Sequence, residues 1–533
     1  MKKISGLRRI YMKLRIPDKT TVVLANETLV LASDLTFDGG CVAYDLDSSL
    51  KVSVKSEKQG VSFIYLRWNE NIDKSLKVLG DAWERGYGDL EWKLVDPERN
   101  MPWYMAISNG SDTDFDYFGR LTQCFGVGVL PNAMALWSCD GEGVTLCLDV
   151  RCGCLPVELG NSVLDVATVH FRDYENTSAF LAIKDFCHVM SPAPILADHV
   201  VYGSNNWYYA YGESSHEEII ADTKFVKSMC EGAKNIPYMV IDDGWQPNRC
   251  DAPWDRGNEK FPDMKALADQ MKEIGVRPGI WVRYLINGKR GESRMVDSFP
   301  EEWYTQRSKF VLDPSHPKVL EYVRETTQRL VDWGYTLIKH DFSTYDIFGL
   351  WGFRTKEHLA NGDWGFYDKT KTTAQIIKNF YTVIKEAAGD TVIIGCNVIG
   401  HLCAGIHEFN RTGDDTSGRE WARTKKMGVN TLAFRIAQNN AFFGADADCV
   451  GIMGLVDWKL NSQWLKLLSR SGSCLFVSCK PGILSESEAA DLREGFLVGS
   501  EQSDELVPID WMETLTPSRY LINGEEVVFD WGE

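Results

Sequence analysis

Four segments carry carboxylates, two of them beside a cation, at spacings that suit acid–base and nucleophilic chemistry. YMVIDD ends in Asp242-Asp243, IKHDF carries Lys339 two residues before Asp341, and NRTGDD sets Arg411 just ahead of Asp414-Asp415. FFGADADCVGI adds Asp446 and Asp448. Residues two apart on a strand share a face, so the Lys339 ammonium favours the ionised form of Asp341. A lone aspartate more often caps a helix or pairs with a surface cation. At least six at equivalent positions would repel one another unless a cation, a proton or a hydroxyl-rich ligand used them. A divalent metal is one such use. The interleaved Lys339 and Arg411 disfavour it, and the nine histidines show no HxH or HExxH spacing. Neither a metal nor a cofactor is expected. Two carboxylates tuned apart, one ionised to attack and one protonated to assist departure, are what cleavage of a glycosidic bond requires. Asp341 fits the first role, and Asp415 or Asp414 the second.

These residues need a frame that brings distant segments to one rim. From about residue 198 to 500, strand-length apolar runs alternate with amphipathic helical stretches. The strands read as HVVYG, YMVIDD, RPGIWV, YTLIKHDF, TVIIGCN, the region of NRTGDD, FFGADADCVGI and SCLFVSC. Eight strands in this span predict a (β/α)8 TIM barrel, whose catalytic residues sit at the C-terminal strand ends. Those ends carry Trp207, Asp242-Asp243, Trp281 with Arg283, Lys339 with Asp341, Cys396-Asn397, Arg411 with Asp414-Asp415, and Asp446 with Asp448. A doubly wound sheet is disfavoured because SNNWYYAYG, not a glycine-rich phosphate turn, follows the first strand. Residues 1–197 read mainly as strands, a β-sandwich with insertions, with a hairpin turning at Asp140-Gly141 and one helix near Ile72–Trp83. Residues 501–533 predict a short β-appendage with a hairpin at Asn523-Gly524.

Bulk properties narrow the ligand. A chain of 533 residues exceeds one core. The net charge of −18 disfavours nucleic acid and anionic membranes as partners but leaves neutral sugars open. The 18 Trp and 20 Tyr suit sugar stacking or simply large cores. Fourteen cysteines show no zinc spacing; Cys147, Cys152 and Cys154, the nearest to a cluster, read as strand and turn residues. MKKISGLRRIYMKLRIP lacks the apolar core of a secretory signal, and no stretch is long enough to span a membrane, so a cytoplasmic protein with reduced thiols is expected.

GSNNWYYAYG, YMVIDDGWQ, FPDMKALADQMKEIGVRPGIWV, IKHDF and RTGDD, in this order over about residues 200–455, resemble the α-galactosidases of glycoside hydrolase families 27 and 36 (clan D), nearer family 36. The resemblance implies a retaining double displacement with Asp341 as nucleophile and Asp415 as acid/base, Asp414 being the alternative. It further implies that Asp242, Asp243 and Lys339 bind hydroxyls and that Arg411 holds O2. Trp207 and Trp281 would be aromatic walls, with Asp448 near the same end of the sugar. Cys396 and Asn397 would face the substituent at C2. Their fifth strand ends GCNVIGHLCAG rather than in a glycine-rich run, leaving galactose versus N-acetylgalactosamine open, and FSTYDIFGLWGF after Asp341 is unlike the family's common forms. Terminal α-galactose release is the expected activity. An α-N-acetylgalactosaminidase or a raffinose-synthase-like transglycosylase is the alternative, and a non-catalytic sugar-binding protein is less favoured. The resemblance also admits a homo-oligomer. Trp245 of DDGW reads equally as packing or as substrate contact, Asp446 as structural, and Gly244 and Gly279 as serving tight strand-to-loop geometry.

Overall fold

The computed structural model describes residues 12–248, 251–287, 299–355, 357–501 and 505–532. Eight parallel strands close into a barrel. They are β1 Tyr202–Asn205, β2 Tyr238–Ile241, β3 Arg277–Val282, β4 Leu337–His340, β5 Val392–Gly395, β6 Phe409–Arg411, β7 Gly444–Ile452 and β8 Cys474–Cys479. All eight coincide with the strands expected from the sequence. Alternation decides which side chains fill the barrel: Tyr238 and Val240 join Leu337, Ile394 and Phe476 in an inner core, while Met239 and Ile241 pack outward against the helices. Continuing the inward register places Asp242 beyond β2, and Lys339 and Asp341 along and beyond β4, at the mouth.

The helices between strands follow from amphipathic spacing and local caps. Asp263 caps Met264–Ile274, which stops at Gly275 in the left-handed conformation. Pro317 opens Pro317–Asp332, and a Thr372/Gln375 capping box opens Thr373–Ala388. Among the described residues, three α-helices of six residues or more went unread in the sequence: Ala179–Met190, Ser343–Phe348 and Glu486–Gly499. The helical stretch after β6, REWARTKKMGVNTLAFRIAQNN, whose sequence reads as one helix, is broken into Trp421–Thr424, a π-helical turn at Lys425–Asn430, and Thr431–Arg435.

The N-terminal region forms two antiparallel sheets of six and eight strands. Trp68 and Trp137 of the first meet Phe171 and Phe125 of the second, with ring centroids 5.0–6.2 Å apart. The hairpin forms as expected, pairing Asp140 with Gly143 around its turn. The helix expected near Ile72–Trp83 does not form. Lys77–Gly80 is a strand paired with Tyr104–Ser108 instead. The local apolar spacing allowed a helix, but the free edge of Tyr104–Ser108 offers the backbone a ladder that local spacing cannot reveal. At the C-terminus the hairpin turns at Asn523 and Gly524, both at positive φ, and a third strand, Leu506–Pro508, completes the sheet. Among the described residues no helix is long and apolar enough to cross a membrane.

Candidate active site

A pocket of about 930 Å³ opens at the C-terminal ends of the barrel strands. Eight residues expected at the site line it: Trp207, Asp242, Asp243, Trp281, Lys339, Asp341, Asp414 and Asp415. Asp242 Oδ2 accepts hydrogen bonds from Lys339 Nζ and Asn205 Nδ2, each at 2.7 Å. Gln246 Nε2 donates to Asp243 Oδ1 at 2.7 Å. Gly244, at φ +114°, follows directly, and a Cβ there would meet the Gly212 carbonyl oxygen at 2.4 Å, so the tight turn demands glycine. Trp245 is fully buried against Trp254 and Trp333 and donates to the Trp281 carbonyl at 2.9 Å; its role is packing.

Asp341 sits where β4 ends and the chain turns through Phe342 at φ +64°. The Phe342 N–H donates to its Oδ1 at 2.7 Å and Trp281 Nε1 to its Oδ2 at 3.1 Å. Burial alone would raise this carboxyl. Arg85 and Lys339 nearby, with those two hydrogen bonds, hold it below the usual carboxylate range. The unfamiliar segment after it forms the helix Ser343–Phe348, whose Asp346 accepts from Arg283 Nε at 2.9 Å. Arg283 lies 4.2 Å from the centre of the Phe342 ring, bracing the turn that carries Asp341.

Asp415 has the opposite environment. Burial pushes its carboxyl up, to about 6. The charge of Asp448 and then that of Asp414 add to this, and Arg85 and Arg411 partly oppose it. Its side chain remains 37 % exposed toward the pocket. Asp414 differs: its two oxygens are taken up by Arg85 at 2.6 Å and Arg423 at 2.9 Å.

Four expected contact residues do not line the pocket. Cys396, Asn397, Arg411 and Asp448 are buried behind its wall. Arg411 reaches Asp446 at 3.1 Å, Asp448 at 2.8 Å and Asp415 at 3.4 Å, so it organises carboxylates. Asp446 also accepts the Asp448 N–H at 2.9 Å, the structural role read for it, while Asp448 takes the Thr416 N–H at 2.8 Å and the Tyr208 hydroxyl. Among the described residues no three His, Cys, Asp or Glu are grouped to hold a metal ion.

The N-terminal region supplies what sequence reading missed. Residues 83–87, WERGY, run into the barrel mouth and extend it beside β6. Gly86 N–H donates to the Thr412 carbonyl at 2.8 Å, and Asp414 N–H to the Gly86 carbonyl at 3.0 Å. A Cβ at Gly413 would meet the Met427 carbonyl oxygen at 2.1 Å, so this close approach of three backbones requires glycine. The insertion buries Glu84, which accepts from the Asn397 amide and from Gly352 N–H. It also delivers Arg85, whose Nη1 lies 3.7 Å from Cys396 Sγ. Glu84 and Arg85 therefore cover the end of β5 and screen it from the pocket. Nothing in their spacing marks them: a charged pair between aromatics is common in strand-rich sequence.

No family model matches the chain. Solved structures do. The α-galactosidase of Thermus thermophilus, seen with p-nitrophenyl α-D-galactopyranoside, aligns over 90 % of this chain and 99 % of its own, at 14 % identity and a TM-score of 0.60. The chain has the fold of the family 36 α-galactosidases. A family 36 α-galactosidase of Geobacillus stearothermophilus aligns over 87 % of this chain and 67 % of its own (12 % identity, TM-score 0.55). A cycloalternan-degrading enzyme of Trueperella pyogenes aligns over 95 % and 86 % (11 % identity, TM-score 0.53). These matches span the sandwich as well as the barrel, so the two-part architecture is shared and not a chance pairing of common folds.

Proposed function

We propose that the chain is a retaining exo-glycoside hydrolase that releases terminal α-linked galactose through a covalent glycosyl-aspartate on Asp341. The observation that carries this reading is one pocket lined by two carboxyls in opposite environments, Asp341 beside cations and donors that favour its ionised form and Asp415 beside Asp448 and Asp414, whose charges favour its protonated form. Asp341 attacks the anomeric carbon while Asp415 passes its proton to the departing oxygen. Water then attacks the same carbon, Asp415 takes its proton, and the Asp341–sugar bond breaks with net retention. Asp414 is the weaker choice for acid/base because two arginines occupy its oxygens. Asp242, Asp243 and Lys339 would bind sugar hydroxyls between the rings of Trp207 and Trp281. The wall over Cys396 is the Arg85 guanidinium, a large polar group, which favours a C2 hydroxyl over an N-acetyl group. In this reading residues 198–500 are the catalytic unit and 1–197 close one side of its pocket.

The direct test is hydrolysis of nitrophenyl α-galactoside, α-N-acetylgalactosaminide and α-glucoside, with the products analysed for transfer to an added sugar. Preference for the α-galactoside with release to water is the expected result. Dominance of the glucoside, the sugar type of the isomaltose seen in the Trueperella enzyme, would replace the assigned glycone.

Arg85→Gln provides a test by pH. Asp341 faces Arg85 and Lys339, and Asp415 faces Asp448, Asp414, Arg85 and Arg411. Removing the Arg85 charge raises both carboxyls, so both limbs of the kcat/KM profile move to higher pH. The acid limb moves because Asp341 must be ionised, and the alkaline limb because Asp415 must be protonated. Profiles of the two proteins that superimpose would refute this electrostatic role.

A further inference from the structure

A second pair of charges is buried where the N-terminal region meets the barrel, outside the pocket. Asp81 follows the strand Lys77–Gly80, and Arg435 ends the helix Thr431–Arg435. Their side chains are 4 % and 2 % exposed. Arg435 Nη2 donates to Asp81 Oδ2 at 3.2 Å, and its Nε lies 3.0 Å from Asp81 Oδ1. Gln438 Nε2 donates to the same Oδ2 at 2.8 Å and to the Tyr104 hydroxyl at 3.0 Å. Such a pair is weak evidence for stability, because two ions taken out of water gain little over apolar side chains of similar volume. What it does supply is direction, since the donors of a guanidinium form a rigid planar fork. The other arm of that fork reaches the wall of the active site: Arg435 Nη1 donates to the Thr412 carbonyl at 3.1 Å.

Thr412 stands between Arg411 and the acid/base segment. Its carbonyl also accepts the Gly86 N–H at 2.8 Å, so both of its lone pairs are engaged. Gly413 comes next, pressed so close that a Cβ would lie 2.1 Å from the Met427 carbonyl oxygen and 2.3 Å from Thr431 Oγ1. Asp414 N–H then bonds the Gly86 carbonyl at 3.0 Å, and Asp415 follows. Arg411 and Arg85 approach the Asp415 carboxyl only at 3.4 and 3.9 Å, so its place depends heavily on the backbone beneath it. Resting on the hydrolase reading above, we propose that Arg435, oriented by Asp81, is a positioning residue for the acid/base. By fixing the Thr412 carbonyl it sets, three residues on, the reach of Asp415 to the glycosidic oxygen. The N-terminal region thereby acts on the proton transfer itself, through a buried pair that touches neither substrate nor reacting carboxyl. A displacement of about 1 Å in a catalytic group can cost on the order of 100-fold in rate, which is ample leverage for such a contact.

The test isolates proton transfer from every other contribution. Methyl α-galactoside loses an alkoxide and needs the Asp415 proton, whereas α-galactosyl fluoride does not, and kcat/KM for each reports formation of the glycosyl-aspartate. In Arg435→Lys the ammonium keeps a charge beside Asp81 but has no fork to span Asp81 and Thr412. The ratio of kcat/KM for the methyl galactoside to that for the fluoride then falls about tenfold. In Arg435→Met/Asp81→Asn the buried pair becomes two neutral side chains of similar size, with an acceptor kept for Gln438. Its thermal melt stays near that of the wild type while the ratio falls by a similar factor. A merely structural role would lower both substrates together, so an unmoved ratio in a folded variant overturns the proposal. Failure of both variants to fold also overturns it, because the pair would then be a requirement of the fold. Wild-type protein that turns over neither substrate removes the hydrolase reading, and this proposal with it.

Discussion

Asp341→Asn lowers kcat on an α-galactoside by on the order of 10⁴-fold or more while the protein stays folded. The amide matches the carboxylate in shape but cannot attack the anomeric carbon. One of its atoms can still accept the Phe342 N–H, as Oδ1 does at 2.7 Å. The other turns an NH₂ toward Trp281 Nε1, which now donates to Oδ2 at 3.1 Å. That mismatch costs roughly 1–3 kcal/mol, less than the roughly 5–15 kcal/mol by which folded proteins are typically stable. Steady-state kinetics with a thermal melt of each protein checks both halves, and near-normal turnover would remove Asp341 as nucleophile. Asp341→Gly sharpens the point. Azide entering the vacated space attacks from the Asp341 face, so the galactosyl azide formed has inverted configuration.

Asp415→Ala gives the second large effect and the opposite stereochemistry. Loss of the acid slows cleavage of glycosides with poor leaving groups by about 10²–10⁴-fold, and much less when the leaving group is fluoride. The covalent intermediate then persists, because no base activates water. Azide takes water's place on the leaving-group face and yields a galactosyl azide of retained configuration. The alkaline limb assigned to a group titrating at about 6 should vanish in the same variant. Retained azide from Asp414→Ala, and none from Asp415→Ala, would move the acid/base by one residue. The Arg85 and Arg423 contacts on Asp414 argue against that outcome.

Much of the pocket was legible because it is built from strand ends. Lys339 and Asp341 had to share a face, and Asp242 had to follow the inward alternation of Tyr238 and Val240. What those residues touch was less legible. Arg411 read as a ligand-binding cation, but it spends its donors on Asp415, Asp446 and Asp448. A buried guanidinium among three carboxylates is satisfied by them, and their positions depend on the bulge that sets Asp448 at φ +68°. The misread helix at Ile72–Trp83 failed for the same reason: a strand partner far along the chain outweighed local spacing.

The sequence by itself determined the barrel, its eight strands, and the carboxylates and lysine at its mouth. These depend on periods of two and 3.6 residues and on spacings within single segments, which the chain carries locally. Only the tertiary structure decided that Glu84, Arg85 and Tyr87 belong to the site, that Cys396 and Asn397 are covered, and that of the two pocket-lining carboxylates Asp414 is taken up by arginines while Asp415 is the more exposed. Those outcomes come from docking the sandwich onto the barrel. That docking is set by many weak long-range contacts and by backbone approaches such as Gly86 against Gly413, none of which leaves a local pattern to read.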